Sequence, residues 1–410
     1  MKNMARRLFA ALLSGLILLG LTPRAQALFI KDELDDLDTE ALFDSEYFLD
    51  LVGFSYPAEW LWLWRPSRPG YRVNAASLDR TDLFIEQEAR LPKRLGDRFA
   101  FLYSLEHRGD KDVVDLHQWI WLEAGPWAGF SSAVFGEPTF DKEDADIGLL
   151  LRWQDPRWMF YGSANAVDFN FNDRGKLNEA YARKPITYDL GARLTSERGR
   201  IGLRVELDTP LIRRIPDSGR VYHYRRTRLE ADWQRPSTED AWGWMARYRY
   251  EFKREKDVYS PDPASLSEDF HRKVHTALAA VEGALGPRDR IEAGGQVMAR
   301  GARTDFANDA AADKRHKRWE AAPYARWRRQ LKPWAISETA FFLSSGELRQ
   351  IFSSGPGPDV RQRPVEAKLG LGIDFLFGAA GRIGLYSNFD LDDVGRHIWD
   401  GGNIRAMILF

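Results

Sequence analysis

Arginine is the residue type with the most chemistry to offer in this chain. Arg193, Arg204, Arg226, Arg228, Arg247, Arg249, Arg300, Arg326, Arg328, Arg382 and Arg405 recur between apolar residues, on the polar register of successive extended segments. Ladders of guanidinium groups along a pore favour anions. Asp189, Glu206, Glu230, Glu251 and Glu292 share that register, so cross-strand salt bridging that stiffens a wall is the competing expectation. Neighbouring strands stand roughly 4.8 Å apart, which makes Arg226 to Arg249 one patch. A second set, Asp168, Asp173 and Glu179, lies in the long polar segment Asp168–Lys184. Two expectations stand for it: a constriction folded inward opposite the basic wall, or a cap outside it.

The remaining reactive residues make no catalytic or metal-binding set. His271 and His275 are four apart. On a strand they share a face but lie about 13 Å apart at the ~3.3 Å rise, too far to share a metal. His397 has Asp392, Asp393 and Asp400 near it in sequence, a match of residue types alone to a His–acid protease couple, and Ser387-Asn388 has no histidine before it. Gly294-Gly295 and Gly370 with Gly372 are not phosphate loops, because no helix follows them. The chain has no cysteine, so thiolate metal sites, disulfides and covalent haem attachment are excluded. The expectation is no enzyme, no metal and no cofactor.

The elements that must carry the arginines are strands. Leu83, Ile85, Ala89 and Leu91 alternate with polar residues, as do Ile186 to Leu194, Trp242 to Phe252 and Val365 to Phe375. These segments run about ten residues, the length a tilted strand needs to cross a membrane. Connections alternate too. Short links such as Gly125-Pro126, Ser196–Arg200 and Gln330–Pro333 fall between long ones such as Glu137–Asp144, Thr209–Arg220, Arg254–Phe270, Ala302–His316 and Ser344–Arg363. Short periplasmic turns and longer outer loops are the pattern of a membrane β-barrel. About 17 strands follow residue 81, and a periplasmic N-terminus requires one more, from Trp60–Trp64 or Tyr71–Ala76. The expected fold is all-β, a transmembrane antiparallel β-barrel over residues 59–410. It has about 18 strands, or about 16 if the ambiguous segments His271–Glu282 and Trp334–Leu343 are not strands.

Residues 1–27 read as a signal peptide. Lys2, Arg6 and Arg7 precede an apolar run from Leu8 to Leu21, and Ala25-Gln26-Ala27 closes it. Removing its four basic residues leaves 55 Lys and Arg against 60 Asp and Glu, a formal charge of −5, which gives no reason to expect nucleic acid. Residues 28–58 form an acidic N-terminal arm or short helix, with Leu34, Leu37, Ala41 and Leu42 at helical spacing and a periplasmic partner expected through residues 31–50. The 15 Trp, 14 Tyr and 24 Phe suit the interfacial girdles of a barrel in lipid.

The chain ends on Ile404, Ala406, Ile408 and Phe410, alternating and closing on an aromatic residue. This ending resembles the last strand of Gram-negative outer-membrane β-barrels, which the barrel-assembly machinery reads. The resemblance covers about ten residues and marks a porin-like class, not a family. It implies the cell outer membrane as location and outer-membrane lipid as surroundings. The expected function is a porin or substrate-selective channel for small polar solutes, anions among them. A structural barrel of a secretion, export or electron-transfer complex is the alternative, and an outer-membrane hydrolase the third.

Overall fold

The computed structural model describes residues 69–77, 83–109, 114–137, 145–167, 180–215, 218–238, 241–259, 267–307, 313–352, 360–363, 365–378, 381–391 and 398–409. The first strands are β1 (Gly70–Ser77), β2 (Leu83–Arg94), β3 (Phe99–Gly109), β4 (Val114–Trp127), β5 (Phe130–Glu137), β6 (Asp146–Gln154) and β7 (Trp158–Ala166). Then come β8 (Ala180–Arg183), β9 (Ile186–Ser196), β10 (Gly199–Asp208), β11 (Leu211–Ile215), β12 (Arg220–Arg235), β13 (Gly243–Tyr259) and β14 (Glu268–Ala284). The last are β15 (Asp289–Phe306), β16 (Lys314–Lys332), β17 (Ala335–Phe352), β18 (Val360–Gln362), β19 (Val365–Leu376), β20 (Gly381–Asp390) and β21 (Trp399–Leu409).

All pairings are antiparallel, and β1 pairs with β21, so the sheet closes on itself. Of the 21 segments, β8 and β9, β10 and β11, and β18 and β19 are halves of single strands that keep the same neighbours, giving a closed barrel of 18 strands. In sequence each gap holds a proline: Pro185, Pro210 and Pro364. Proline has no N–H to give the ladder, so the pairing lapses at Pro185 and Pro210; Pro364 lies outside the described residues. The strand missing from the start of the count is β1, which spans Tyr71–Ala76; Trp60–Trp64 lies outside the described residues. The two ambiguous segments are strands, β14 and β17.

The wall turns its apolar side outward. Leu122, Val134, Leu149, Phe160, Leu190 and Leu203 are exposed on the outer face, while Glu123, Ser131, Arg152, Asp189 and Arg204 are buried on the inner one. Period two makes this possible, because successive side chains leave opposite faces. Trp127, Trp158, Trp233, Trp242, Trp327 and Trp334 gather at the ends of strands joined by the short turns, forming one interfacial girdle. No helix among the described residues is long and apolar enough to cross a membrane; the wall crosses with strands.

Two expectations about connections are corrected. The turn expected at Gly125-Pro126 falls at Ala128-Gly129, both at positive φ (50° and 87°), as a two-residue hairpin turn of the mirror type requires. Gly125 instead sits at a bulge, between Ala124 and Trp127. Second, much of the segments expected as loops after Thr209, Arg254, Ala302 and Ser344 is strand: β11, the upper parts of β13 to β17, and β18. These strands reach 17 to 19 residues, against 8 to 9 in β5 to β7. About ten residues suffice to cross the apolar core, so β13 to β17 rise well beyond the membrane on one side of the barrel.

Candidate functional site

The inner face of β9 to β17 is a lattice of opposite charges. Strand alternation aims every second residue inward, and direct cross-strand partners set the rows: Gly191, Arg204, Glu230, Arg249 and Thr276 form one, Asp189, Glu206, Arg228, Glu251 and Val274 the next. The centre is Arg204. Its Nε donates to both Asp189 oxygens at 3.1 Å, and its Nη2 donates to Asp189 at 2.8 Å and Glu206 at 3.0 Å. Glu230 lies 3.9 Å away. The Tyr161 hydroxyl donates to Asp189 at 3.0 Å, and its ring lies over Gly191, where an added Cβ would meet it at 2.1 Å. Only glycine admits the ring there.

The lattice continues outward from this node. Arg226 bonds Glu206 at 2.5 Å and pairs with Asp208 at 3.2 Å, and Arg249 donates to Glu230 at 2.9 Å. Arg228 and Arg272 share Glu251 at 3.1 and 2.7 Å. On β16, Arg326 and Arg328 each reach Glu292, at 3.5 Å, and Glu338, at 3.2 and 3.0 Å. The Arg405 guanidinium sits over the Tyr386 ring at 4.5 Å. Six of the eight arginines singled out from sequence, Arg204, Arg226, Arg228, Arg249, Arg326 and Arg328, are therefore wall-bracing partners of carboxylates.

Arg193 and Arg247 differ. Asp232 stands opposite Arg247 and, across Gly202, in line with Arg193, and its charged neighbours are Arg200, Arg247 and Arg193. Among the described residues none of these three arginines forms an ion pair. Three guanidinium groups around one carboxylate leave this part of the inner wall, near the short turns, with an excess of positive charge.

Sequence reasoning missed the opposite side of the lumen. On β3 to β7 the inner face carries Leu102, Trp119, Trp121, Ala133, Phe135, Leu150, Met159 and Tyr161, packed as one cluster. Trp121 and Phe135 stack at 5.0 Å, and Phe135 lies over Gly148, where a Cβ would meet it at 2.3 Å. The signal was the breakdown of alternation at Trp119–Leu122 and Ile147–Leu151, where both faces are apolar. Arg152 hydrogen-bonds Glu123 beside this cluster and donates to Ser131 at 3.2 Å.

Asp168, Asp173 and Glu179 lie outside the described residues, as do residues 1–58 and Phe410. Ile404, Ala406 and Ile408 are on the outward register of β21, opposite Ala75, Val73 and Tyr71 of β1. His271 and His275 both face outward, His271 bound to Asp269 at 2.9 Å and His275 to the Tyr248 hydroxyl at 2.8 Å. No group of metal-ligating side chains occurs among the described residues.

No family model matches the chain, and no curated protein matches it. Solved structures with a similar course include OccK2 (OpdF) of Pseudomonas aeruginosa in complex with glucuronate, at 12% identity and TM-score 0.39, covering 84% of this chain and 98% of that one. OmpT, an outer membrane protein of Vibrio cholerae, matches at 8% identity and TM-score 0.38 over 83% of this chain and 96% of its own. A porin variant of Rh. blastica matches at 8% and 0.32 over 84% and 99%. The chain shares with these the course of a closed antiparallel β-barrel, and the pairing of β1 with β21 closes that barrel in the chain itself.

Proposed function

We propose that this chain is a passive channel of a Gram-negative outer membrane for small polar solutes, with anions favoured where they pass Arg193, Arg200 and Arg247. The observation that supports it is the closed ring of 18 strands with apolar side chains outside and charged ones inside. A ring of that size at the usual strand tilt has a backbone radius of about 18 Å, wide enough for an aqueous lumen between the side chains. The paired arginines hold the wall and contribute little net field. The cluster around Asp232 retains positive charge, so it is the part that biases ion entry.

Planar-bilayer recording under a KCl gradient tests both claims. The expected result is steady conductance, with a reversal potential on the anion side that moves toward the cation side in the Arg193→Glu, Arg247→Glu double variant. A correctly folded barrel that never conducts overturns the channel. An unchanged reversal potential in the variant overturns the anion site.

A further inference from the structure

The outer face of the tall wall carries cations where a barrel wall in lipid ordinarily ends. Arg225, Arg254, His271, Arg303 and Arg315 stand directly opposite one another on five adjacent strands, β12 to β16. Like charges facing each other across strands are destabilising, so this row calls for anions in front of it. Asp269 and Asp305 supply part, holding Arg254 at 2.7 Å, His271 at 2.9 Å and Arg303 at 2.6 Å. One row nearer the membrane, Lys273 and Lys317 flank Gly301, whose missing side chain leaves open space between them. Arg225, Arg315, Lys273 and Lys317 are all exposed and form no ion pair among the described residues. The two lysines are about 10 Å apart at the backbone, two strand spacings, a gap their side chains can close around one phosphate.

Immediately below, on the same strands, come Tyr250 and Trp319, and then a concave stretch of outer wall. Its floor is Ala246, Ala279, Gly295, Ala321 and Pro323, Tyr248 lines it, Trp233 of the short-turn girdle marks its lower edge, and it is an open hollow of about 730 Å³. That volume is within the range of small-ligand pockets, about 300–1,000 Å³. On β5 to β7, β9 and β10 the outward register carries no Lys or Arg, so that part of the described wall has no such cation row.

We propose that this face binds a phosphorylated, multiply acylated glycolipid of the outer leaflet, with a phosphate between Lys273 and Lys317 under the Arg315 row and an acyl chain in the groove below. The order along β13 and β16 supports this occupant: cations, then an aromatic residue, then an apolar hollow, the order of phosphate, interface and acyl chain in such a lipid. The proposal rests on outer-membrane placement but not on solute passage, so it survives or fails apart from the channel.

The test is native mass spectrometry and a lipid-exchange assay on the full barrel in phosphatidylcholine nanodiscs, with diphosphoryl lipid A, its dephosphorylated form and phosphatidylglycerol as probes. Diphosphoryl lipid A is expected to be retained, and the dephosphorylated form at least tenfold less. The Lys273→Ala, Arg315→Ala, Lys317→Ala variant should lose at least tenfold in lipid A affinity while keeping heat-modifiable migration and ion selectivity. Ala279→Phe, which fills the groove from an exposed position, should weaken lipid A binding while leaving the preference for the phosphorylated over the dephosphorylated form. Equal retention of phosphatidylglycerol, wild-type binding by the triple variant, or loss of self-association without loss of lipid in Ala279→Phe would each overturn the proposal. The last result would assign the groove to a second copy of the chain.

Discussion

Replacing Arg204 with Met should be the most damaging single change in the lattice. Arg204 and Asp189 are 8% and 6% exposed at the side chain, so water cannot take over when one is removed. The three neighbouring carboxylates are not equally affected. Glu206 keeps Arg226, and Glu230 keeps Arg249. Among the described residues Asp189 loses its guanidinium and retains the Tyr161 hydroxyl. One stranded buried charge costs about 3–5 kcal/mol, and at about 1.4 kcal/mol per factor of ten this lowers the folding equilibrium roughly a hundred- to a few-thousand-fold. Guanidinium unfolding in lipid vesicles, followed by tryptophan emission, measures it. Adding Asp189→Leu removes the stranded charge, so the double variant should cost less than about 2 kcal/mol, despite having lost two polar residues. If Arg204→Met costs under about 1 kcal/mol and the two changes are additive, the pair behaves as a solvated surface bridge, and the claim of a buried brace is wrong.

Gly191→Ala drives a Cβ into the Tyr161 ring and should cost about 1–3 kcal/mol by overpacking. Gly301→Ala, whose Cβ would meet nothing, should be neutral or stabilise by up to about 1 kcal/mol; the same unfolding assay compares the two. On the part of β17 that rises beyond the membrane, hydrogen bonds from Arg361, and next from Arg363, hold the Glu347 carboxyl below its ordinary value. A depressed acid contributes stability above its unfolded value and loses it as pH falls through the folded one, so the β17–β18 pairing should loosen only below the ordinary carboxylate range. Carboxyl-carbon NMR titration reads this directly, and a Glu347 value at or above the ordinary one refutes it. Brominated lipids with the bromine near the headgroup should quench Trp158, Trp242 and Trp334 more than mid-chain bromine does, and the reverse order would misplace the short-turn girdle.

Much of this was legible along the chain, because period two reports which face is wetted. It placed Arg193, Arg204, Arg226, Arg228, Arg247 and Arg249 inward. It could not tell which of them had partners. Arg204 bonds Asp189 diagonally, since its direct opposites are Gly191 and Glu230, and a diagonal depends on rotamers that spacing does not encode. The same signal vanishes where both faces meet one medium. Beyond the membrane, Arg254, Glu255, Lys256 and Asp257 are strand with water on either side, and read as loop. On β4 to β6 the opposite happens: Trp121 faces inward and Leu122 outward, both apolar, so direction cannot be read. The bulge at Gly125 shifts the turn for a further reason, since a residue inserted into one strand leaves the composition of the hairpin unchanged.

The joint between first and last strands sets how this cylinder is made and undone. β1 has 8 residues, while β14 and β15, on the tall side, have 17 and 18. Hydrogen bonds accumulate per residue, so the seam is held by about half the rungs of the tall wall. Until β1 arrives, the whole edge of β21 is unsatisfied, and in lipid that state is expensive. A factor that grips the terminal strand during insertion therefore competes against a short zipper. It can let go when eight residues replace it.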